Sequence, residues 1–506
     1  MAESKKRVSV LIVGAGPTGL VLALWLQKRG IDFRIIDKST GPGETSRALA
    51  IQARTLEFYQ QLGFANDLVN ASVKANEIVL RRRGRAVATA KFGELGKDLS
   101  FFSYLSFCSQ DIHEALLCTV LEKWGRQVQR NSELLSFSQN ENEVIVQVKT
   151  SQGTEQITAD YLIGCDGAHS AVRHGLKTKF PGGTYSQVFF VADVMASGPM
   201  AEGGLQISVS PKGFCIVMPI RAHGSVRLTG IVPPEAESKE KVSYDDVAES
   251  VARDTGLEVQ KVNWFSSYHV HHRVAGKFHD GRVFLAGDAG HIHSPAGGQG
   301  MNTGIGDAVN LAWKLADVIQ GRCPPRLLDS YEPERISFAK TLVKTTDVAF
   351  QLIASRSYLG SMFRAYVLPS IFSLLTRFRT FLDLGFKTIS QIRIEYRESF
   401  LSEGSVGEVH AGDRLPWVRT SSGHNFESLQ SLDWQIHIYG KVKAAFQNSK
   451  YPLDMPVHQF EWSTAVQSTG LQKDAVYLIR PDGYIALATQ TQDSRIITEY
   501  FQRMSN

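Results

Sequence analysis

The stretch VSVLIVGAGPTGLVLALWLQKRGIDFRIIDK, residues 8–38, decides how the rest of the chain is organised. Val8 to Val13 is a short run of β-branched and aliphatic residues, which is typical of a strand buried on both faces. Three glycines follow at positions 14, 16 and 19, and the apolar run after them predicts a buried helix that stops at Gly30. Phe33 to Ile36 predict a second strand, with Asp37 at its end.

Each part of this pattern has a physical role in binding a dinucleotide. Gly14 permits a tight turn, Gly16 lets backbone NH groups approach a pyrophosphate at a helix N-terminus, and Gly19 lets helix and strand pack closely. Asp37 would accept hydrogen bonds from a ribose diol. A bare GxGxxG motif is weak evidence, but here it lies within a complete strand, turn, helix, strand and acid. We therefore predict a dinucleotide site.

Length and composition indicate a globular protein of several domains. A chain of 506 residues is too long for one core, so we expect two or three domains. The net charge of +5 is a weak argument for anionic ligands, and no stripe of Lys and Arg with interleaved aromatic residues indicates nucleic-acid binding. The densest basic run, RRRGR at 81–85, is interpreted as a solvated hairpin rather than a binding patch.

Cysteine usage and apolar stretches bear on the compartment. The five cysteines, at 108, 118, 165, 215 and 323, have no CxxC or zinc spacing, which predicts free thiols. No apolar signal region precedes the first strand, so we expect a cytoplasmic protein. The stretch 357–386 is membrane-like, but Pro369 and charged residues such as Arg364 interrupt it before the roughly 20 apolar residues that a span needs. We predict packed or interfacial helices and no transmembrane segment, with peripheral membrane contact as the alternative.

Two further predicted strands end on glycine turns, where open α/β sheets bind their ligands. The first runs into Asp166 and Gly167, before a helix start that carries Arg173. The second, starting at Val283, leads to Asp288, a glycine-rich loop and a helix. The backbone at 297–303 could direct NH groups at an electron-rich ring edge, and Asp288 could hold a polyol hydroxyl.

Other residues and segments complete the pattern. Arg47 precedes a helix predicted for Ala50 to Leu62, and it could bind a phosphate bidentately or be an exposed loop arginine. Gln110 opens a helix that Ser109 or Asp111 caps, and it could bind a ligand or cap the backbone. Residues 183–275 predict an antiparallel sheet, 330–400 predict helices, and the remainder predicts a small α/β unit.

Three motifs, GAGPTG (14–19), DGAHSAVR (166–173) and GDAGHIHSPAGGQGMNTGIGDA (287–308), resemble those of the single-component FAD-dependent aromatic hydroxylases. This is the p-hydroxybenzoate hydroxylase and phenol hydroxylase family, and the chain is most similar to its polyketide hydroxylase branch. The resemblance implies an α/β fold: a Rossmann-like FAD-binding domain with a parallel sheet, an inserted antiparallel-sheet substrate domain, a helical segment and a thioredoxin-like C-terminal domain. The implied boundaries are 1–75 with 104–180 and 280–345, 76–103 with 181–279, 346–399, and 400–506.

The resemblance also implies the cofactor contacts. Gly14, Gly16, Thr18 and Gly19 would lie at the FAD pyrophosphate, Asp37 at the adenosine ribose, and Arg47 at the phosphates. Gln110 would lie near the ribityl chain, Asp166 in a motif that contacts FAD and NAD(P)H, and Asp288 at the ribityl or phosphate region. Pro295 would lie beside the isoalloxazine, and the backbone of Gly300, Met301 and Asn302 would face the pyrimidine edge of the flavin. Pro17 and Lys38 are expected to be further cofactor-binding residues. Asp37 departs from the more common Glu, and no cysteine follows Cys323, so the C-terminal domain could not carry out dithiol chemistry.

The hypothesis for the reaction is that NADPH or NADH reduces FAD, that O2 then forms a C4a-hydroperoxyflavin, and that this species hydroxylates a phenolic or polycyclic aromatic substrate in a dry site. The sequence shows no catalytic base: His291 and His293 are interpreted as local hydrogen-bonding residues, and His269, His271 and His272 have no partners for a metal site. Aromatic residues such as Phe350, Tyr358, Phe363 and Phe381 could line the substrate or form core.

The alternatives are Baeyer–Villiger oxidation or epoxidation on the same scaffold, a flavin reductase, and a non-catalytic flavin-binding protein. Nicotinamide preference, substrate identity and the choice between a monomer and a homodimer stay open.

Overall fold

The structure is a computed structural model that describes residues 7–43, 48–82, 84–91, 96–220, 224–294, 298–354, 357–421 and 423–505. The strands in this part of the chain are β1 (Arg7–Val13), β2 (Phe33–Ile36), β3 (Ala50–Ile51), β4 (Val73–Ala75), β5 (Glu77–Arg82), β6 (Arg85–Lys91), β7 (Leu105–Phe107), β8 (Glu133–Gln139), β9 (Val144–Thr150), β10 (Gly153–Gly164), β11 (Gly182–Ser197), β12 (Leu205–Ser210), β13 (Gly213–Pro219), β14 (Ser225–Ile231), β15 (Glu258–Val274), β16 (His279–Asp280), β17 (Val283–Leu285), β18 (His291–Ile292), β19 (Ser405–Val406), β20 (Val409–His410), β21 (Arg419–Thr420), β22 (Gly423–His424), β23 (Gln435–Tyr439), β24 (Val457–Phe460), β25 (Val476–Ile479) and β26 (Ile485–Thr489).

The α-helices are α1 (Pro17–Lys28), α2 (Ala53–Leu62), α3 (Ala65–Asn70), α4 (Gln110–Lys123), α5 (Ala171–Gly175), α6 (Pro234–Glu237), α7 (Asp245–Thr255), α8 (Gly300–Ile319), α9 (Tyr331–Ala354), α10 (Tyr358–Met362), α11 (Leu368–Leu375), α12 (Arg379–Ile389), α13 (Ala444–Gln447), α14 (Thr464–Gln467) and α15 (Ser494–Ser505). A π-helical turn, Phe363–Val367, joins α10 to α11 without a break.

Four parallel strands form the centre of the first sheet. The path runs β16-β17-β10-β1-β2, with β2, β1, β10 and β17 parallel and the hairpin β8–β9 continuing antiparallel from β10. β1 is almost wholly buried because α1, α4 and α8 cover the sheet and one another. The predicted parallel sheet is confirmed, and the glycine turns after β1, β10 and β17 lie along one edge of it.

The second sheet has eight strands in the order β18-β15-β11-β14-β13-β12-β5-β6. Every pairing is antiparallel except β12 with β5, so the hairpin at 77–91 joins a sheet whose other strands come from 182–292. Arg81, Arg82 and Arg85 of the basic run lie where the two strands of that hairpin meet, as predicted. Its location in this sheet could not be read from local sequence, because β5 and β12 are more than a hundred residues apart.

Two predictions about helices need correction. The helix predicted from Ala50 begins at Ala53, because Ala50 and Ile51 pair with Phe107 and Ser106 in a short strand. Ser109 occupies the N-cap of α4, but its hydroxyl makes no capping bond.

The helical segment contains a longer uninterrupted apolar helix than the sequence predicts. In the described residues, Tyr358–Leu375 is the one helix long and apolar enough to cross a membrane by length and composition, and 17% of it is buried. Arg364 and Pro369 are predicted to interrupt this apolar run, yet the helix continues through both residues. Tyr358 is solvent-exposed, which removes it from the residues that could line the substrate, while Phe381 packs edge-on to Phe372.

The C-terminal residues form a four-stranded sheet in the order β24-β23-β25-β26. β23 and β24 are parallel, whereas β25 is antiparallel to both β23 and β26. Helices α13 and α14 flank β24 along the chain, and α15 follows β26, so the element order is β-α-β-α-β-β-α.

Candidate functional site

The first glycine turn is held against the second by backbone contact. Gly14 has φ +103°, and a Cβ there would lie 2.3 Å from the carbonyl oxygen of Cys165 and 2.9 Å from the Cα of Asp166. Its NH donates to the carbonyl of Ile36 at 2.8 Å. Only glycine meets both demands, because an L side chain is strained at this φ and has no space. The GAGPTG and DGAHSAVR turns therefore lie in contact.

The N-terminus of α1 is open in the way that a pyrophosphate requires. Gly16 is the N-cap, Pro17 begins the helix, and no side chain caps it. A Cβ on Gly16 would meet no atom of the described residues within 4 Å, whereas a Cβ on Gly19 would lie 2.0 Å from the carbonyl oxygen of Gly14. The helix thus presents unpaired NH groups and a positive dipole end to free space. An anionic diphosphate fits this position.

Asp37 lies at the end of β2 with its carboxylate fixed. One oxygen accepts from the Ala15 NH at 2.6 Å, and the other accepts from the Ser39 NH at 2.8 Å. The side chain is half-buried, and the Arg130 guanidinium approaches within 3.8 Å. Because a carboxylate offers about four lone-pair positions, these bonds orient Asp37 and leave it acceptor capacity for a ribose hydroxyl. Its neighbour Lys38 is exposed.

The second turn contains a buried acceptor that the described residues leave without a partner. Asp166 Oδ2 accepts from the Val172 NH at 3.2 Å, but its Oδ1 is buried and unpaired within the described part of the chain. Arg173, also buried, donates to the carbonyls of Ala289 at 3.0 Å and Ala168 at 2.8 Å. The DGAHSAVR turn is therefore joined to the GD motif, and the unpaired oxygen is available to a hydroxyl or NH donor.

Thr18 connects the third turn to the first. A Cβ on Gly287 would lie 2.6 Å from Thr18 Oγ1, and a Cβ on Gly304 would lie 2.4 Å from the same atom. Gly287 also has φ +63°. The Thr18 hydroxyl thus lies between the turn after β17 and the first turns of α8, so the structure brings all three predicted motifs together.

Asp288 follows Gly287 in the turn after β17. Its side chain is accessible to solvent, yet desolvation by the surrounding protein raises the pKa of its carboxyl, with His291 acting in the opposite direction. Such a carboxylate suits a polyol hydroxyl.

The turn at Gly287 is held by a buried ion pair between Asp307 and Arg335, which the sequence did not predict. Asp307 Oδ2 accepts from the Gly287 NH at 2.9 Å and contacts His291 Nε2 at 2.7 Å, while Oδ1 accepts from Arg335 Nε at 2.6 Å. Burial opposes ionisation of Asp307, but the Arg335 guanidinium and His291 outweigh it, so the pKa of Asp307 is lowered. Asp307 lies inside the quoted GD motif, but nothing in the local sequence pairs it with Arg335.

The start of α8 is positioned by side-chain amides. Asn302 accepts from the Gln52 NH at 3.0 Å and Thr55 Oγ1 at 2.8 Å, and it donates to the carbonyls of Ala50 and Gly298 at 2.9 Å each. Its amide is fully used within the protein, so only the backbone of Gly300, Met301 and Asn302 can serve a ligand. The side chain of the N-cap residue Gln299 does not cap α8, and within the described residues the first NH groups of the helix face a possible ligand.

Both histidines before α8 form hydrogen bonds, as predicted, but only His293 has a neighbour in sequence as its partner, because His291 contacts Asp307 on α8. His293 Nδ1 donates to the Ser294 carbonyl at 2.8 Å, and its buried Nε2 has no partner in the described residues. Burial lowers the pKa of His293 to about 4, so the ring is neutral at pH 7. The ring lies 3.7 Å from the Cβ position of Gly300. A group with this pKa is too weak a base to deprotonate a phenol at neutral pH.

The remaining predicted residues divide into two groups. Gln110 begins α4 and donates to Glu114 Oε1 at 2.7 Å, and Glu114 in turn accepts from the Gly43 NH at 2.9 Å. Gln110 therefore orders the loop after Asp37. Arg47 and Pro295 lie outside the described residues. Among the residues that are described, no group of three or more His, Cys, Asp or Glu could hold a metal ion.

Taken together, the residues present fit an FAD molecule. They offer an open helix N-terminus for a diphosphate, an oriented carboxylate for a ribose, a solvent-accessible carboxylate for a polyol, and the N-terminus of α8. These groups lie on turns that touch one another.

Comparisons with known proteins agree with this geometry. A family model described as an FAD binding domain matches residues 7–346. The chain is 30% identical to 6-methylpretetramide 4-monooxygenase of Streptomyces rimosus, over 98% of this chain and 93% of that protein. Its structure is similar to that of CabE, an aromatic hydroxylase from angucycline biosynthesis, with a TM-score of 0.79 and 26% identity over 98% and 99% of the two chains. It is also similar to OxyS anhydrotetracycline hydroxylase from Streptomyces rimosus, with a TM-score of 0.76 and 27% identity over 96% of each chain.

Proposed function

The chain belongs to the FAD-binding-domain family and is an FAD-dependent monooxygenase, and from this premise we propose that it hydroxylates a phenolic or polycyclic aromatic substrate with NADPH or NADH and O2. The observation that carries the proposal is the contact of three separate glycine turns at Thr18, Cys165 and Gly287. The monooxygenase and hydroxylases to which the chain is similar bear names that refer to polycyclic aromatic pathways. These names support the substrate class.

We propose the following roles for the residues that hold the cofactor. The pyrophosphate would be bound by Gly14, Gly16, Pro17, Thr18 and Gly19, the adenosine ribose by Asp37 and Lys38, and the phosphates by Arg47. The ribityl region would be bound by Gln110 and Asp288, and Asp166 would lie on the side of FAD that meets the nicotinamide. Pro295 would contact the isoalloxazine, and its pyrimidine edge would meet the backbone of Gly300, Met301 and Asn302. Bound FAD would supply the electron transfer and oxygen activation that no side chain can supply. The unpaired Asp166 Oδ1 and the open space at Gly16 support these roles.

The protein's part in the reaction is to hold, orient and dry the site. Gln391 donates to Gln299 Oε1 at 3.1 Å and to Thr303 Oγ1 at 2.9 Å, so the helical segment is tied to the start of α8. Phe386 is buried, and its ring lies 2.7 Å from the position of a Cβ on Gly96. We propose that the substrate lies between this segment, the second sheet and the start of α8, where water is excluded.

We propose the domain division given by the resemblance: 1–75, 104–180 and 280–345 for FAD, 76–103 and 181–279 for substrate, 346–399 as the helical segment, and 400–506 as a thioredoxin-like domain. The two sheets and the element order β-α-β-α-β-β-α support it. A cytoplasmic location is proposed on the free state of all five cysteines. Sedimentation velocity would distinguish a monomer from a homodimer.

The proposal is tested by turnover under 18O2. Purified protein with FAD, NADPH or NADH, and a panel of phenolic polycyclic compounds is expected to give one product that gains a single 18O atom as a ring hydroxyl. A labelled lactone or ester would indicate Baeyer–Villiger oxidation instead, and a labelled epoxide would indicate epoxidation. Nicotinamide oxidation with no label in any product would contradict hydroxylation and favour a reductase.

A further inference from the structure

The outer face of the helical segment is the most apolar exposed surface of the described residues. Thirteen large apolar side chains are exposed, and nine of them lie between residues 358 and 384. They are Tyr358, Leu359, Met362, Tyr366, Val367, Ile371, Leu374, Phe378 and Leu384. Tyr358 is 77% exposed and Leu359 is 80% exposed. Contiguous apolar side chains with this much exposure are typical of a surface that binds a protein or a membrane. We call these nine residues the apolar face.

Unpaired cations border this face. The tip of the β5–β6 hairpin lies beside it, with the Arg82 guanidinium 5.3 Å from the centre of the Tyr366 ring. Arg82, Arg85 and Arg377 are exposed, and no carboxylate of the described residues forms an ion pair with any of them. Arg379 alone has acidic neighbours, Asp98 at 3.4 Å and Asp383 at 3.8 Å. The basic run interpreted above as a solvated hairpin is therefore adjacent to an apolar surface.

The helix lies along the protein and does not leave it. Arg364, in the middle of the apolar run, is buried and donates to the carbonyls of Ser210 at 3.0 Å and Pro211 at 2.9 Å. Phe372 on the same helix packs into the core of the second sheet. A helix held by its inner side cannot cross a bilayer, but its outer side can enter the interface of one.

We propose that the apolar face, together with Arg82, Arg85 and Arg377, docks the protein on an anionic lipid surface. Aromatic and aliphatic side chains would enter the headgroup and acyl boundary while the arginines meet lipid phosphates. A second copy of the chain is a poorer occupant, because two-fold pairing through this face would bring the same unpaired arginines together. The inference does not depend on which reaction the protein catalyses.

Vesicle sedimentation of the FAD-bound protein tests this directly. The protein is expected to sediment with vesicles of phosphatidylcholine and phosphatidylglycerol, to bind phosphatidylcholine alone more weakly, and to lose the difference as salt is raised. Replacing both Arg82→Gln and Arg85→Gln should lower partitioning to the anionic vesicles about 30-fold. Replacing Leu359→Glu and Leu374→Glu together should abolish binding to both.

The control is Leu135→Glu, which changes a leucine on β8 outside the apolar face and should bind vesicles as the natural chain does; Leu135 is 52% exposed, close to the 55% of Leu374. FAD content and melting temperature of every variant show that it is folded. Absence of binding to anionic vesicles at low salt overturns the proposal, as does equal binding to neutral vesicles. A concentration-dependent dimer that the Leu359→Glu and Leu374→Glu protein cannot form would assign the face to a second copy instead.

Discussion

Gly16 and Gly19 lie on neighbouring turns of the same motif but meet different surroundings. A Cβ on Gly19 would collide with the backbone of Gly14, whereas one on Gly16 would meet only free space. Gly19→Ala is therefore expected to lower the free energy of unfolding of the FAD-free protein by about 1–3 kcal/mol. Gly16→Ala should leave that stability unchanged and raise the FAD dissociation constant at least about tenfold, because the methyl group occupies the pyrophosphate position. Denaturant unfolding and flavin fluorescence titration separate the two effects.

Equal losses of stability in both glycine variants would contradict this assignment. So would unchanged FAD affinity in Gly16→Ala.

Asp307 gives a second prediction for a single residue. Asp307→Asn leaves the buried Arg335 guanidinium without its counter-charge and loosens the Gly287 turn. The free energy of unfolding should fall by about 3–5 kcal/mol, and FAD content should fall with it. The matched control is Asp160→Asn, which breaks a surface pair with Arg7 and should change stability little. A fully stable Asp307→Asn protein with normal FAD content would show that the pair has no role in holding the turn.

The sequence predicts glycines and acids for the cofactor site but not the buried side chains that support them. Gly14, Asp37 and Asp166 were predicted because each stands next to a strand end whose pattern is local. His291 was correctly interpreted as a hydrogen-bonding residue, yet its partner Asp307 and the partner of Asp307, Arg335, were not identified. An ion pair between residues 28 positions apart has no local pattern.

Helices α8 and α9 and the turn between β25 and β26 meet at Glu334. Its carboxylate accepts from Arg480 at 2.8 and 3.0 Å, from Lys314 Nζ at 2.8 Å, and from Ser399 Oγ at 2.7 Å. Burial disfavours the charged form, but Arg480 and Lys314 outweigh it and hold the pKa of Glu334 far below its usual range. The same burial lowers the pKa of Lys314 to about 8.

This network predicts the acid limit of stability. A carboxyl with a lowered folded-state pKa stabilises the protein above its unfolded value, which is about 4.3 for Glu, and that contribution is lost as pH falls toward the folded value. The contribution of Glu334 to the free energy of unfolding, measured as the difference between the natural chain and Glu334→Gln, should therefore be constant near pH 7 and decline progressively below about pH 4.3. Glu334→Gln should remove that contribution to the acid decline and lower stability at pH 7 by about 3–5 kcal/mol, because two buried cations lose their partner. Chemical denaturation across this pH range measures both.

Glu403→Gln serves as the comparison for Glu334. Glu403 pairs with Arg503 at 2.7 Å, but both side chains are about half exposed, so its loss should leave the acid decline in place. An unaltered acid decline in Glu334→Gln would contradict the role given to the network.

For the whole molecule, residues 400–505 form part of the core of the rest. Trp434 Nε1 donates to Asp317 at 2.9 Å, Trp313 Nε1 donates to Asp482 at 3.0 Å, and Arg480 bridges Asp482 and Glu334. Without the C-terminal residues, Asp317 and Glu334 on α8 and α9 would lose buried partners. With no cysteine after Cys323, these residues cannot act as a dithiol carrier, and a structural role accounts for their contacts.

A chain ending at residue 399 is therefore expected to be insoluble or to bind little FAD, because removal of Arg480, Asp482 and Trp434 leaves buried charges and indole groups unpaired. Soluble yield and FAD per chain are the measurements, and supplying 400–506 as a separate chain should restore both in part. A truncated protein with full FAD content and an unchanged melting temperature would show that these contacts are dispensable.

Local sequence patterns alone were enough to predict FAD as the cofactor and the parallel sheet. A tight turn, an open helix N-terminus and a strand-end acid are demands on neighbouring residues, so they leave a readable pattern within about thirty positions. Only the tertiary structure decided which buried charges pair across the elements, as Asp307 does with Arg335 and Glu334 with Arg480. Only the tertiary structure shows that the apolar run at 358–375 faces outward. The hydrophobicity of a side chain gives the free-energy cost of its exposure to water, but it does not say whether the protein core or another surface covers it.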